Sequence, residues 1–171
     1  MDIGLIGLGN IGVHFGTRLL AAGHKLFVHD KSTEARDRLV TRGAIPCVST
    51  KELASKVEIV LLCLPMPHIV LEVAKEVAEG EKVRIVLDLS TTGPSITQGV
   101  SSFLELHDIA LVSSPVSGGT VAAEKGTLAV MPAGPTNAYK EIEPLLHVIG
   151  KNIFYMGTDP TLGQTMKIIN N

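Results

Sequence analysis

The stretch DIGLIGLGNIGVHFGTRLLAAGHKLFVHD, residues 2–30, decides the fold. It opens with the apolar run Ile3–Ile6 and turns through Gly7, Leu8, Gly9, Asn10, Ile11 and Gly12. Helical spacing then carries Phe15, Leu19 and Leu20, and after Gly23 a second apolar run leads to Asp30. A strand, a glycine turn, a helix and a second strand form a βαβ unit. In that setting each glycine of GxGxxG has a physical task. Gly7 permits the tight turn, Gly9 lets backbone amides approach a pyrophosphate, and Gly12 lets helix and strand pack closely; the helix N-terminus favours negative charge. A glycine turn can also be purely structural, so the motif alone is weak. Asp30 strengthens it, because a carboxylate at the end of the second strand can accept hydrogen bonds from an adenosine ribose. The same carboxylate repels a 2′-phosphate, which favours NAD, while Lys31 and Ser32 leave NADP open.

Further short apolar runs follow at EIVLLCL, RIVLDL and IALVSS, separated by segments of helical periodicity such as Leu71, Val73, Ala74 and Val77. Continuous apolar strands belong where helices cover both faces of a parallel sheet, since neither face then meets water. The expected fold is therefore α/β, a doubly wound, Rossmann-type and mostly parallel sheet with helices on both faces. Punctuation agrees: Ser49 with Glu52 reads as a capping box, Gly23 and Gly80 as left-handed helix stops, and Pro94 as a first helical turn. After Thr127 the pattern predicts a strand LAVM, a helix over Asn137–Val148 and a strand IFYM, together extending the sheet at one edge. Residues 1–160 make the dinucleotide-binding domain, and residues 161–171 open another helix.

Composition narrows the function. In 171 residues, fifteen basic against seventeen acidic side chains leave a formal charge of -2, and there are four Phe, two Tyr and no Trp. Without a basic run or rings to stack bases, nucleic acid is not an expected partner. The apolar run Ile59–Leu64 is too short for a membrane span, and glycine comes too early for a signal peptide. A cytoplasmic protein is expected. Cys47 and Cys63 are the only cysteines, and the six histidines form no HxH or HExxH pattern, so no metal site is predicted.

Three more segments sit at the carboxyl ends of strands, where a parallel sheet gathers functional loops: LPMP, DLSTTGPS and SSPVSGG. With GLGNIG, PVSGGTVAAEKGTLAVM and the terminal GQTMKIINN, they resemble the β-hydroxyacid dehydrogenase family, typified by 3-hydroxyisobutyrate dehydrogenase. The resemblance runs through the whole chain. It implies hydride transfer between a nicotinamide cofactor and a small β-hydroxy acid or its semialdehyde. In that reaction Lys167 is the general acid of reduction, Ser117, Gly118 and Gly119 hold the substrate carboxylate, and Asn171 orients the hydroxyl. Thr91 would lie beside the nicotinamide, and Leu64 and Pro65 would line the cofactor cleft. The family also implies an interdomain helix starting at 161–171, an all-helical domain absent from these residues, and a homo-oligomer at full length.

The lysine makes chemical sense independently, since a carbonyl accepting hydride develops alkoxide charge that an ammonium can stabilise and neutralise. Lys167 and Asn171 are four apart and share a helical face. An exposed lysine on an amphipathic helix is the plain alternative, as a capping turn is for Ser117. Two other readings stay open: a non-catalytic NAD(P)-binding module, and an NADPH-dependent semialdehyde or imine reductase. Departures from the family pattern are Arg18 for asparagine, Ser113 for aspartate and Thr161 near a usual glycine. A helix as short as 161–171 is marginal in isolation, so Lys167 is expected to be loosely held.

Overall fold

The computed structural model describes residues 1–171. Its main sheet has six strands: β1 (Asp2–Ile6), β2 (Lys25–His29), β3 (Ile45–Pro46), β4 (Ile59–Leu62), β5 (Ile85–Asp88) and β6 (Ala110–Ser113). All pair in parallel, in the order β3-β2-β1-β4-β5-β6. Alternate residues of each strand feed opposite cores. Ile3, Leu5, Ile59, Leu61, Ile85 and Leu87 meet α1 (Gly12–Ala21), α2 (Thr33–Val40) and α7 (Thr136–Ile149) through Phe15, Leu19, Leu39 and Ile142. On the other face Ile6, Val60, Leu62 and Val86 meet α3 (Thr50–Ala54), α4 (Pro67–Ala78) and α5 (Pro94–Glu105) through Leu53, Val70, Val77 and Leu104. Burying each such side chain contributes about 1.5–3 kcal/mol, which is why these strands are apolar on both faces. This is the doubly wound architecture expected.

Helix ends follow the sequence signals in most places. Ser49 Oγ accepts from Glu52 N at 3.1 Å, while the Glu52 carboxylate accepts from Val48 N at 2.7 Å. Pro94 stands in the first turn of α5, and Gly23 takes a left-handed φ of 84°. Gly80 does not: its φ is ordinary, and it is small because a Cβ there would overlap Ala54.

The region after Thr127 departs from expectation. Beyond α6 (Gly119–Lys125), strand β8 (Leu128–Val130) pairs antiparallel with β7 (Val116–Ser117) and parallel with β9 (Gly150–Ile153), making a separate three-stranded sheet. It meets the edge strand β6 at one bridge, Ser113 with Ala133. The antiparallel register pairs Val116 with Val130 and Ser113 with Ala133, so it also sets Pro115 opposite Met131 and Pro135 opposite Leu111. Proline has no N–H to give the ladder, so Pro135 withholds one bond opposite Leu111 and Pro115 another, although Met131 N still donates to Pro115 O at 3.1 Å and the register runs on into β7 and β8. The last strand lies slightly upstream of IFYM, though Phe154 N and Met156 N still donate to Val130 O and Pro132 O.

The strand order reverses beside β1, since β2 follows on one side and β4 on the other. A crevice at the carboxyl ends of β1 and β4 is the ligand position in such sheets. No helix is long and apolar enough to cross a membrane.

Candidate functional site

The glycine turn leaves β1 at this crevice. Gly7 has φ 92°, donates its N–H to His29 O at 3.1 Å, and lies so close to β4 that a Cβ would overlap the Cys63 carbonyl oxygen. A Cβ at Gly12 would overlap Gly7 O, so this glycine lets α1 start directly against the turn. A Cβ at Gly9 would meet nothing within 4 Å. Gly9 therefore faces open space, where an extra methyl would obstruct only a ligand approaching the backbone.

Asp30 follows β2 and bridges to the turn. Its Oδ2 accepts from Leu8 N at 2.7 Å and its Oδ1 from Ser32 N at 2.7 Å. A carboxylate so bound is fixed in direction. Leu8 gives only this backbone contact, because its side chain is buried in the core and is not on the cavity wall.

A cavity of about 460 Å³ opens here, within the range of ligand sites. Gly7, Gly9, Asn10, Ile11, Gly12, Asp30, Lys31, Leu64 and Pro65 all line it; these are residues that the sequence assigns to a cofactor cleft. The sequence does not single out Ile6, His29, Thr50, Cys63, Ile69, Glu72, Val73 or Glu76, which complete the wall from α3, α4 and the strand ends. The open face of Gly9, the closely packed turn and the carboxylate beside it fit a dinucleotide, with amides for the pyrophosphate and Asp30 for a ribose.

A second cavity of about 310 Å³ shares Ile11, Cys63, Leu64 and Pro65 with the first, so the two form one groove. Its other walls are Leu89, Ser90, Thr91, Val116, Gly118, Gly119 and Lys167. Thr91, the double glycine and the lysine thus converge, although 76 positions separate Thr91 from Lys167. Gly118 and Gly119 have φ of 134° and 69°, a turn open only to glycine at little cost. Ser117 stands beside this wall, its Oγ accepting from Asn170 Nδ2 at 2.9 Å. Asn171 lies one residue past α8 (Thr161–Asn170), exposed, and does not line the cavity.

The helix backbone that carries Lys167 is anchored. Three residues earlier, the fully buried Gln164 ties α8 to the sheet with four hydrogen bonds. The length of an isolated helix was the wrong criterion because tertiary anchoring replaces intrinsic helix stability.

Two buried groups below the groove also escaped the sequence reading. Asp88, at the end of β5, accepts from Ser90 N at 3.0 Å; burial pushes its carboxyl up to about 6 despite the Ser90 hydrogen bonds. Ser90 Oγ in turn accepts from Leu64 N at 2.9 Å, joining the loops after β4 and β5. Burial and the nearby Asp88 charge push the Cys63 thiol up to about 12, which leaves it an unreactive wall residue.

Comparison with known proteins bears on the same residues. The family model of the NAD binding domain of 6-phosphogluconate dehydrogenase matches residues 2–157. The chain is 36% identical over 172 residues to mitochondrial 3-hydroxyisobutyrate dehydrogenase of Drosophila melanogaster, covering 99% of this chain and 53% of that protein. It is 34% identical over 174 residues to the NAD-dependent L-serine dehydrogenase of Pseudomonas aeruginosa, covering 99% and 58% respectively. The solved structure of Mycobacterium tuberculosis 3-hydroxyisobutyrate dehydrogenase with L-serine matches with a TM-score of 0.93 at 27% identity, over 99% of this chain and 58% of that one. The chain spans little more than half the length of these relatives.

Proposed function

Since the chain belongs to the family of the NAD binding domain of 6-phosphogluconate dehydrogenase, we propose that it is the cofactor-binding part of an NAD-dependent dehydrogenase of small β-hydroxy acids. The observation that carries this reading is the groove that joins the glycine turn to Lys167, with Thr91, Gly118 and Gly119 around the ammonium. Relatives that act on 3-hydroxyisobutyrate and L-serine support the substrate class.

A bound nicotinamide dinucleotide supplies or accepts the hydride; the remaining work falls to residues of the chain. The turn Gly7–Gly12 holds the pyrophosphate by backbone amides, and Asp30 takes the adenosine ribose and disfavours a 2′-phosphate. Leu64 and Pro65 keep water from the reacting end, and Thr91 flanks it. Amides of the positive-φ pair Gly118 and Gly119, with the Ser117 hydroxyl, bind the substrate carboxylate as a backbone nest. During reduction, Lys167 Nζ gives a proton to the carbonyl oxygen as its carbon gains hydride; oxidation reverses both transfers. Such proton transfer contributes about 10²- to 10⁴-fold.

The test is a panel of β-hydroxy acids, 3-hydroxyisobutyrate and L-serine included, with NAD and NADP compared on the full-length protein. The reading expects NAD reduction with at least one acid, and a loss of at least about 10²-fold in kcat for Lys167→Ala with NAD affinity kept. No turnover across the panel, or an active Lys167→Ala protein, would refute it.

A further inference from the structure

Gln164 is a polar side chain with no exposed surface, on a helix whose remaining residues are mostly exposed. Its amide is satisfied on both sides. Oε1 accepts from Thr92 N at 3.0 Å and from Gly93 N at 3.2 Å. Nε2 donates to Ser90 O at 3.0 Å and to Ser113 Oγ at 3.0 Å. Two N–H donors on one side and a carbonyl on the other fix which end of the amide is which. Beside it, Gly163 brings the helix backbone against the sheet, since a Cβ there would overlap Met131 O and lie 3.2 Å from Ser113 O.

The partners matter more than their number. Ser90 and Thr92 flank Thr91 in sequence, and Thr91 lines the groove opposite Lys167. Gln164 therefore grips the loop on both sides of Thr91. Gln164 and Lys167 are also three apart and share a face of α8. One side chain sets the height and rotation of the helix and the path of the loop. From this geometry we propose that Gln164 is a positioning residue, which holds Lys167 and Thr91 in mutual register across the groove.

The glutamine is specific to the task. An apolar side chain of equal length would leave the Thr92 and Gly93 amides and the Ser90 carbonyl unpaired. Glutamate could still accept from both amides, but it would set a carboxylate against the Ser90 carbonyl. The glycine turn and Asp30 make no hydrogen bond with Gln164, so the hold on the pyrophosphate and the adenosine ribose does not run through it, and only the nicotinamide end at Thr91 does.

The kinetic arm of the test rests on the dehydrogenase reading; an exchange arm does not. In the full-length protein, Gln164→Met lowers kcat by about 10²-fold, the cost of a misplacement near 1 Å, with the NAD Kd kept within about tenfold because the pyrophosphate and ribose contacts remain. Gln164→Glu, which keeps two of the four bonds, falls between and serves if the methionine variant does not fold. In a Lys167→Ala background, Gln164→Met costs at least about tenfold less than in the parent, because most of its effect runs through the lysine. Amide exchange quickens in α8 and at Thr92 and Gly93 while residues 3–12 keep their protection. A kcat within about threefold of the parent, or NAD affinity lost along with kcat, overturns the proposal. Failure of the dehydrogenase reading looks different, as an unsubstituted protein that turns over nothing on the panel. The exchange arm then decides alone: unchanged exchange in α8 overturns the proposal, and selective quickening supports it.

Discussion

Gly9→Ala separates folding from binding at the glycine turn. The φ of Gly9 lies outside the left-handed region, and its added methyl would meet no protein atom within 4 Å. Alanine therefore enters the folded chain without strain and removes freedom from the unfolded one, a gain of about 0.4–1 kcal/mol. For a domain of this size that raises Tm by roughly 1–4 °C. Against a ligand the same methyl stands where the backbone must be approached. Losing one charge-assisted hydrogen bond to a phosphate costs about 1.5–3 kcal/mol, so NAD affinity falls roughly 10- to 150-fold. Gly12→Ala is the control, because its Cβ would overlap Gly7 O and lie 3.0 Å from Gly7 C. Relieving that collision costs about 1–3 kcal/mol, and Tm falls by several degrees along with affinity. Titration calorimetry with NAD and a thermal melt on each variant give both numbers. A Gly9→Ala protein that melts lower than the parent, or binds NAD within about twofold of it, refutes the assignment of the open face to the pyrophosphate.

Two other substitutions test the frame around the groove. Arg18 donates from Nε to Val148 O at 2.6 Å and from Nη1 to Glu124 O at 3.3 Å, carbonyls near the C-terminal ends of α7 and α6 where a cation is favoured. Arg18→Asn should cost about 1.5–3 kcal/mol in a urea melt and leave NAD affinity unchanged; an unaltered melt refutes this. Asp88 has an ordinary value of 3.8 that burial pushes up to about 6, so the native state keeps its proton to higher pH than the unfolded chain does. The cost of the buried carboxylate is absent below about pH 4, builds between 3.8 and about 6, and is complete above that. Asp88→Asn, which can still accept from Ser90 N, should therefore gain on the order of 3 kcal/mol at pH 8 and nothing at pH 4. A gain equal at both pH values would show the effect to be packing.

What the sequence disclosed was local. Strands buried on both faces must be apolar throughout, and a tight turn against a second strand must be glycine, so β1, the GLGNIG turn and Asp30 could be read in order. Pairing between distant segments could not. The small sheet depends on the register that pairs Val116 with Val130 and Ser113 with Ala133, which is visible only once β7 and β8 are paired. Gln164 was hidden for a similar reason. On an amphipathic helix a glutamine reads as solvated, and its partners lie 51 to 74 positions away in sequence. The one signal was its place between Gly163 and Lys167, where a glycine marks close approach and the polar residue after it shares the buried face.

The departures from the family pattern take on meaning from the same contacts. Ser113 is the register partner of Asp88 on the neighbouring strand, so the two side chains stand on one face of the sheet and both are buried. A second carboxylate there would face the first in a dry setting, where like charges raise each other's pKa and one must hold a proton. The serine hydroxyl avoids that conflict and still accepts from Gln164 Nε2. The substitution therefore changes the charge beneath the groove and leaves the anchoring of α8 intact. Its consequence falls on the proton affinity of Asp88, whose carboxyl reaches the groove through Ser90 with its bond to Leu64 N and through its charge near Cys63.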